Sequence, residues 1–195
     1  MPRQPEIEAA YEDWAERLLA ESYVPYLLTF MFQPLGGSLS SMGERMLGDI
    51  ERVYRIHVTR VVRKPNAPAH LDERPIWLCS LDLPVFKHAK QSRLDVLIND
   101  GLHAHAVGFY APRSRLREGV VEHFEHHHDD LYVRREHPLM RIDVEPITHR
   151  TGYVVGYVRK NIGRGLISAD ATRVLPVDRR TARATSLSDR ASAPP

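Results

Sequence analysis

An α+β domain with a mainly antiparallel central sheet, its helices packed largely on one face, is the fold class this sequence predicts. Three observations carry it. Short apolar or alternating segments at residues 26–32, 76–83, 103–110 and 139–147 read as strands. Two segments, 6–22 and one beginning near Ser41, carry apolar residues at helical spacing. The two kinds of segment interleave, so helices and sheet must share one core. A chain of 195 residues, 43% of them hydrophobic, can bury one such core. The division expected is a domain over residues 1–175 and a disordered Arg/Ser/Ala/Pro-rich tail over 176–195.

Taken in order, residues 6–22 place Ile7, Ala10, Tyr11, Trp14, Leu18 and Leu19 on one helical face. Pro25 precedes the aromatic run 26–32, read as a buried strand, and Pro34-Leu-Gly-Gly37 breaks it. Ser41-x-x-Glu44 has the capping-box pattern. Behind it Met46, Leu47, Ile50, Val53, Tyr54, Val58, Val61 and Val62 form an apolar stripe. The opposite face carries Arg45, Arg52, Arg55, Arg60, Arg63 and Lys64, which read as a solvated face or as a surface tracking phosphates. Three prolines make residues 63–75 a loop, and 76–83 is the next strand. Residues 84–93 form a basic connector with Lys87, Lys90 and Arg93.

Residues 95–110 hold the densest signal. Apolar residues flank Asn99-Asp100-Gly101, a sequence that favours a tight hairpin turn. On the returning strand His103 and His105 project from one face. A three-residue loop sets Leu97 opposite His103 and Asp95 opposite His105, so that two imidazoles and a carboxylate converge as they would on a divalent cation. A two-residue loop turns Asp95 to the other face. Residues 118–131 form a helix rich in His and acidic residues. His123 and His127 have i, i+4 spacing, but the run does not match His-Glu-x-x-His and reads as a polar helix face. After the strand at 139–147, Tyr153, Tyr157 and Lys160 fall at i, i+4 and i+7 of a helix, sharing one face.

His103-Ala104-His105 resembles the histidine–hydrophobe–histidine motif of the HUH endonucleases, which nick single-stranded DNA. Tyr153 to Lys160 is similar to the tandem-tyrosine helix of their Rep-type branch. Asp95, eight residues before His103, stands where many Rep proteins carry a third metal ligand, and Tyr26-Leu-Leu-Thr-Phe30 resembles their first-strand motif. The matches run in family order over roughly residues 23–165. Gly156 stands where tandem-tyrosine members usually have lysine, and the third ligand is Asp rather than Glu.

The resemblance implies a Rep-type, ferredoxin/RRM-like sheet with the histidines on a central strand facing the tyrosine helix. It implies Mg²⁺ or Mn²⁺ on His103, His105 and Asp95, and attack by Tyr157 or Tyr153 on single-stranded DNA. A 5′-phosphotyrosine and a free 3′-hydroxyl result, and rejoining then needs no ATP, as in rolling-circle replication or transposition. Lys160 would orient the phosphate or lower the phenol pKa, and Lys87, Lys90, Arg93, Arg159 and Arg164 would hold the DNA backbone. A Rep-derived DNA-binding module that has lost nicking is the alternative. A metal-free RNA-binding domain of related topology would show aromatics where this chain has histidines.

A net charge of +2 is too small to argue for nucleic acid by itself. The single Cys79 excludes an intramolecular disulfide, no signal segment is visible, and no apolar run approaches the ~20 residues of a membrane span. A cytoplasmic protein without membrane partners is expected. No phosphate-binding loop motif is present, so unwinding would fall to a host helicase.

Overall fold

The computed structural model describes residues 4–82, 103–148 and 172–177. In chain order these form α1 (Gln4–Ala20), β1 (Val24–Phe32), α2 (Leu39–Val61), a 3₁₀ turn (Pro68–Glu73), β2 (Ile76–Asp82) and β3 (His103–Tyr110). Then come α3 (Val120–His126), a π turn (His128–Tyr132), β4 (Leu139–Pro146) and β5 (Thr172–Leu175). The strands make one five-stranded sheet in the order β4-β1-β3-β2-β5, with every neighbouring pair antiparallel. This is the α+β fold expected, and from β1 to β4 the elements follow the β-α-β-β-α-β succession of ferredoxin-like folds.

Strand alternation divides the sheet into two faces. Phe30, Trp77, Leu81, Ala104 and Ala106 point to one face and pack against Met46, Leu47, Ile50, Val53 and Val58 of α2 and Phe124 of α3. The opposite face is apolar only at one end, where Leu78, Val107 and Phe109 receive Ala15 and Leu18 of α1. Two of the three described helices thus share a face and α1 takes the other. Trp77 is fully buried and touches the rings of Phe30, Tyr54, His57 and Phe124. Gly108 is required on the central strand, since a Cβ there would come within 2.7 Å of Leu28 Cδ1 and 3.2 Å of Trp77 Cδ1.

Several local expectations shift. The residue capping α2 is Ser38, whose hydroxyl accepts from the Ser41 N–H, so the helix starts before the Ser41-x-x-Glu44 pattern. Met140 is exposed and Leu139 turns inward instead, because the pairing with β1 is irregular between Met31 and Phe32. β5 has no counterpart in the sequence reading, since four residues are too few for a visible alternation. The expected residue 95–101 hairpin lies outside the described residues. The positions it would fill are taken, for His103 pairs with Met31 and Asp82, and His105 with Thr29 and Ser80. The antiparallel partners of β3 among the described residues are β1 and β2.

The row of arginines on α2 is also partly structural. Arg52 donates to the Asp49 carboxylate at 2.5 Å and to the Tyr132 carbonyl at 2.6 Å, while Asp49 also accepts the buried Leu139 N–H at 3.1 Å. Asp49 thereby ties α2 to the start of β4 and to the π turn. Asp49→Ala leaves the buried Leu139 N–H without its acceptor and takes the carboxylate from Arg52, and should cost about 2–4 kcal/mol, read as a lower urea midpoint. A midpoint within error of the wild type would show that this tie contributes nothing. The cysteine is structural as well: burial pushes the Cys79 thiol up to about 12, which leaves it unreactive at neutral pH.

Candidate metal centre

The polar end of the sheet's second face is built row by row from the strand registers. One row across four strands reads Arg141, Met31, His103, Asp82, and the next reads Asp143, Thr29, His105, Ser80, Thr172. Period-2 alternation puts all of these side chains on the face away from α2. Asp82, His103 and His105 each offer a ligand atom, and these atoms lie within 4.8 Å of one another. Asp82 Oδ2 stands 3.2 Å from His103 Nε2, and the two imidazole rings meet edge to face at 5.0 Å.

Burial decides the charge state. Desolvation, reinforced by the neighbouring His103 and opposed by Asp82, lowers the His105 pKa to about 4, so the ring is neutral at pH 7 as a metal ligand must be. Thr29 Oγ1 lies 3.1 Å from His105 Nδ1 and fixes the ring, the arrangement in which Nε2 serves as ligand. Two imidazoles and a carboxylate on neighbouring strands form a group that could hold a metal ion. Among the described residues Arg141, exposed and paired with Asp143 at 2.8 Å, is the cation nearest in register on this face.

His103 and His105 thus stand together on the central strand, as the sequence reading expects. The carboxylate beside them is Asp82. The sequence reading missed it because the tight-turn signal at residues 99–101 drew the pairing to residues 95–98. The available signal was the parity of β2: with Trp77, Cys79 and Leu81 inward, Asp82 must share the opposite face with Ser80. Asp95, Lys87, Lys90, Arg93, Tyr153, Tyr157, Arg159, Lys160 and Arg164 lie outside the described residues. The basic face of α2 is separated from the histidines by the sheet, so it cannot track a strand held at this centre.

The histidine-rich helix also differs from its reading as a polar face. His123 is buried, and with Glu118 and His127 it forms a second group whose ligand atoms lie within 4.8 Å of one another. Burial is the first cause lowering the pKa of His57 and of His123, as it is for His105. The unfolded chain takes up these protons near pH 6.5 whereas the native state does not, so stability present above pH 6.5 is lost progressively as pH falls toward 4. The urea midpoint should therefore fall between pH 7 and pH 4.5; a midpoint constant across that range would contradict the neutral, buried state of these rings.

No described helix is long and apolar enough to cross a membrane. No protein-family model, curated protein or solved structure matches the chain.

Proposed function

We propose that this chain nicks and rejoins single-stranded DNA, with a divalent metal held by Asp82, His103 and His105 and a tyrosine of residues 153–157 as nucleophile. The observation that carries the reading is the convergence of those three ligands on the central strands of a ferredoxin-like sheet. The resemblance of His103-Ala104-His105 and of the Tyr153–Lys160 pattern to the Rep-type HUH endonucleases supplies the reaction class.

Topology supports the part given to the tyrosines. β4 and β5 are parallel and stand at opposite edges of the sheet. The β1–α2–β2 crossover runs across the sheet in the same sense, on strands pointing the other way, and lies on the apolar face. A β4-to-β5 connection of the same right-handed sense would pass over the opposite face, where the histidines are. The residues between these strands include Tyr153, Tyr157 and Lys160.

Mg²⁺ or Mn²⁺ bound here would polarise the scissile phosphate as a Lewis acid. The Tyr157 oxygen would attack phosphorus, forming the phosphotyrosine ester as the bond to the 3′-oxygen breaks, and a proton completes the 3′-hydroxyl. Lys160 would lower the phenol pKa or hold a phosphate oxygen. Arg141 joins Lys87, Lys90, Arg93, Arg159 and Arg164 as a candidate backbone contact. Tyr153, one turn before Tyr157 on a helix, suits the return transesterification.

The test is a denaturing gel of the full chain with a pool of randomised single-stranded oligonucleotides. A covalent band with Mn²⁺ that disappears with chelator is the result expected. Metal-independent DNA binding without a covalent band would favour the alternative, a Rep-derived binding module without nicking. A covalent band of equal strength in chelator would remove the metal from the reaction.

A further inference from the structure

The second histidine group sits at the end of a chain of hydrogen bonds that runs from the core to the surface. Tyr110 OH meets His57 Nε2 at 2.9 Å, His57 Nδ1 meets Tyr132 OH at 2.9 Å, and Tyr132 OH meets His123 Nε2 at 2.9 Å. His123 Nδ1 then meets Glu118 Oε1 at 3.0 Å. The proton positions along the chain follow from its outer end. The Glu118 carboxylate faces imidazole nitrogens at both oxygens and only accepts. His123 must donate from Nδ1, and being neutral it accepts at Nε2 from Tyr132. The single Tyr132 proton is then spent, so His57 donates to it from Nδ1 and accepts at Nε2 from Tyr110. All four bonds point outward.

At that outer end Glu118 gathers three imidazoles. His123 Nδ1 lies 3.0 Å and His127 Nε2 3.5 Å from Oε1, and His126 Nδ1 lies 2.7 Å from Oε2. The His123 and His127 rings are 4.7 Å apart, one helical turn from each other across the end of α3. The His123 side chain is 5% exposed and that of His127 40%, so the group has a fixed inner ligand and an outer one open to solvent.

We propose that Glu118, His123 and His127 form a second metal site, selective for a zinc-type cation and independent of the centre on the sheet. Two imidazoles and one carboxylate are a zinc donor set that leaves a fourth position for water, and imidazole ligation favours Zn²⁺ over Mg²⁺. The ion takes the Nδ1 lone pair of the other neutral tautomer of His123, whose one proton passes from Nδ1 to Nε2 by exchange with solvent. His123 then donates that proton to Tyr132, as ligating histidines donate to an outer partner. Tyr132 turns its own proton to His57 Nδ1, and His57, its one proton moved from Nδ1 to Nε2, donates to Tyr110, which turns its own O–H aside. Metal loading at the surface thus reverses the direction of a buried chain that ends beside Trp77, whose ring lies 5.7 Å from that of His57. Tyr132 is the positioning residue of this site.

The experiment is a Zn²⁺ titration of the full chain against a chromophoric chelator, performed in the His103→Ala/His105→Ala background so that the sheet centre does not contribute. One equivalent should remain in that background and should disappear when His127→Ala is added. His127 is half-buried, and its loss should leave the fold and, in the otherwise wild-type chain, Mn²⁺ binding unchanged. Tyr132→Phe should weaken Zn²⁺ about 10-fold while leaving Mn²⁺ affinity at the sheet centre as it was. Zn²⁺ binding unaltered by both His127→Ala and Glu118→Gln, or no Zn²⁺ bound in the His103→Ala/His105→Ala background, would overturn the site. Failure of DNA nicking would leave it standing, since no step of the titration involves DNA.

Discussion

Tyr157→Phe should abolish the covalent DNA adduct, lowering its yield by at least ~10³-fold, because removing a nucleophile removes the reaction rather than slowing one step. The substitution deletes one oxygen and keeps the ring, so binding of the oligonucleotide should persist. Tyr157-x-x-Lys160 has the spacing that the Rep-type resemblance ties to first cleavage, which ranks Tyr157 ahead of Tyr153. Tyr153→Phe should accordingly retain a measurable fraction of the adduct. Loss in Tyr153→Phe alone would exchange the two roles. An adduct surviving in the double variant would eliminate tyrosine as the nucleophile.

His105→Ala should remove Mn²⁺ binding at the sheet and every metal-dependent activity with it. Losing one of three protein ligands should exceed the roughly 10–100-fold that losing an outer partner costs. The strand itself should survive, since β3 is held by β1 and β2 along both edges. His103→Ala should behave alike. Asp82→Ala ranks next, because its carboxylate is the one that the sheet register sets beside His103. Mn²⁺ affinity that survives in both histidine variants would leave the centre without its ligands, whatever the DNA assay shows.

The sheet and the helices were legible because their signals are periodic and local. Every apolar residue of the stripe from Met46 to Val61 lies on the buried face of α2, which also holds Asp49 and His57, and His103 and His105 fall together on one face by parity alone. What escaped depends on pairing between segments distant in sequence. Asp82 reaches His103 only because β2 and β3 are neighbours, whereas the Asn99-Asp100-Gly101 signal proposed a closer partner. His57 sits on α2 among apolar residues, and nothing in the local pattern shows that it meets Tyr110 and Tyr132 at once. His123 likewise looks like one of a run of surface histidines until the core residues that bury it are in place. Local chemistry was readable; the partners that set charge and tautomer were not.

The polarity of the covalent link tests the account most directly. The full chain is incubated with Mn²⁺ and a single-stranded oligonucleotide pool labelled at either the 3′ or the 5′ end, then resolved on a denaturing gel. Attack by tyrosine with departure of the 3′-oxygen requires that the 3′ label migrate with the protein and that the 5′ label be released on a shorter strand ending in a 3′-hydroxyl. A 5′ label retained on the protein, or cleavage of the pool with neither label attached, would contradict it.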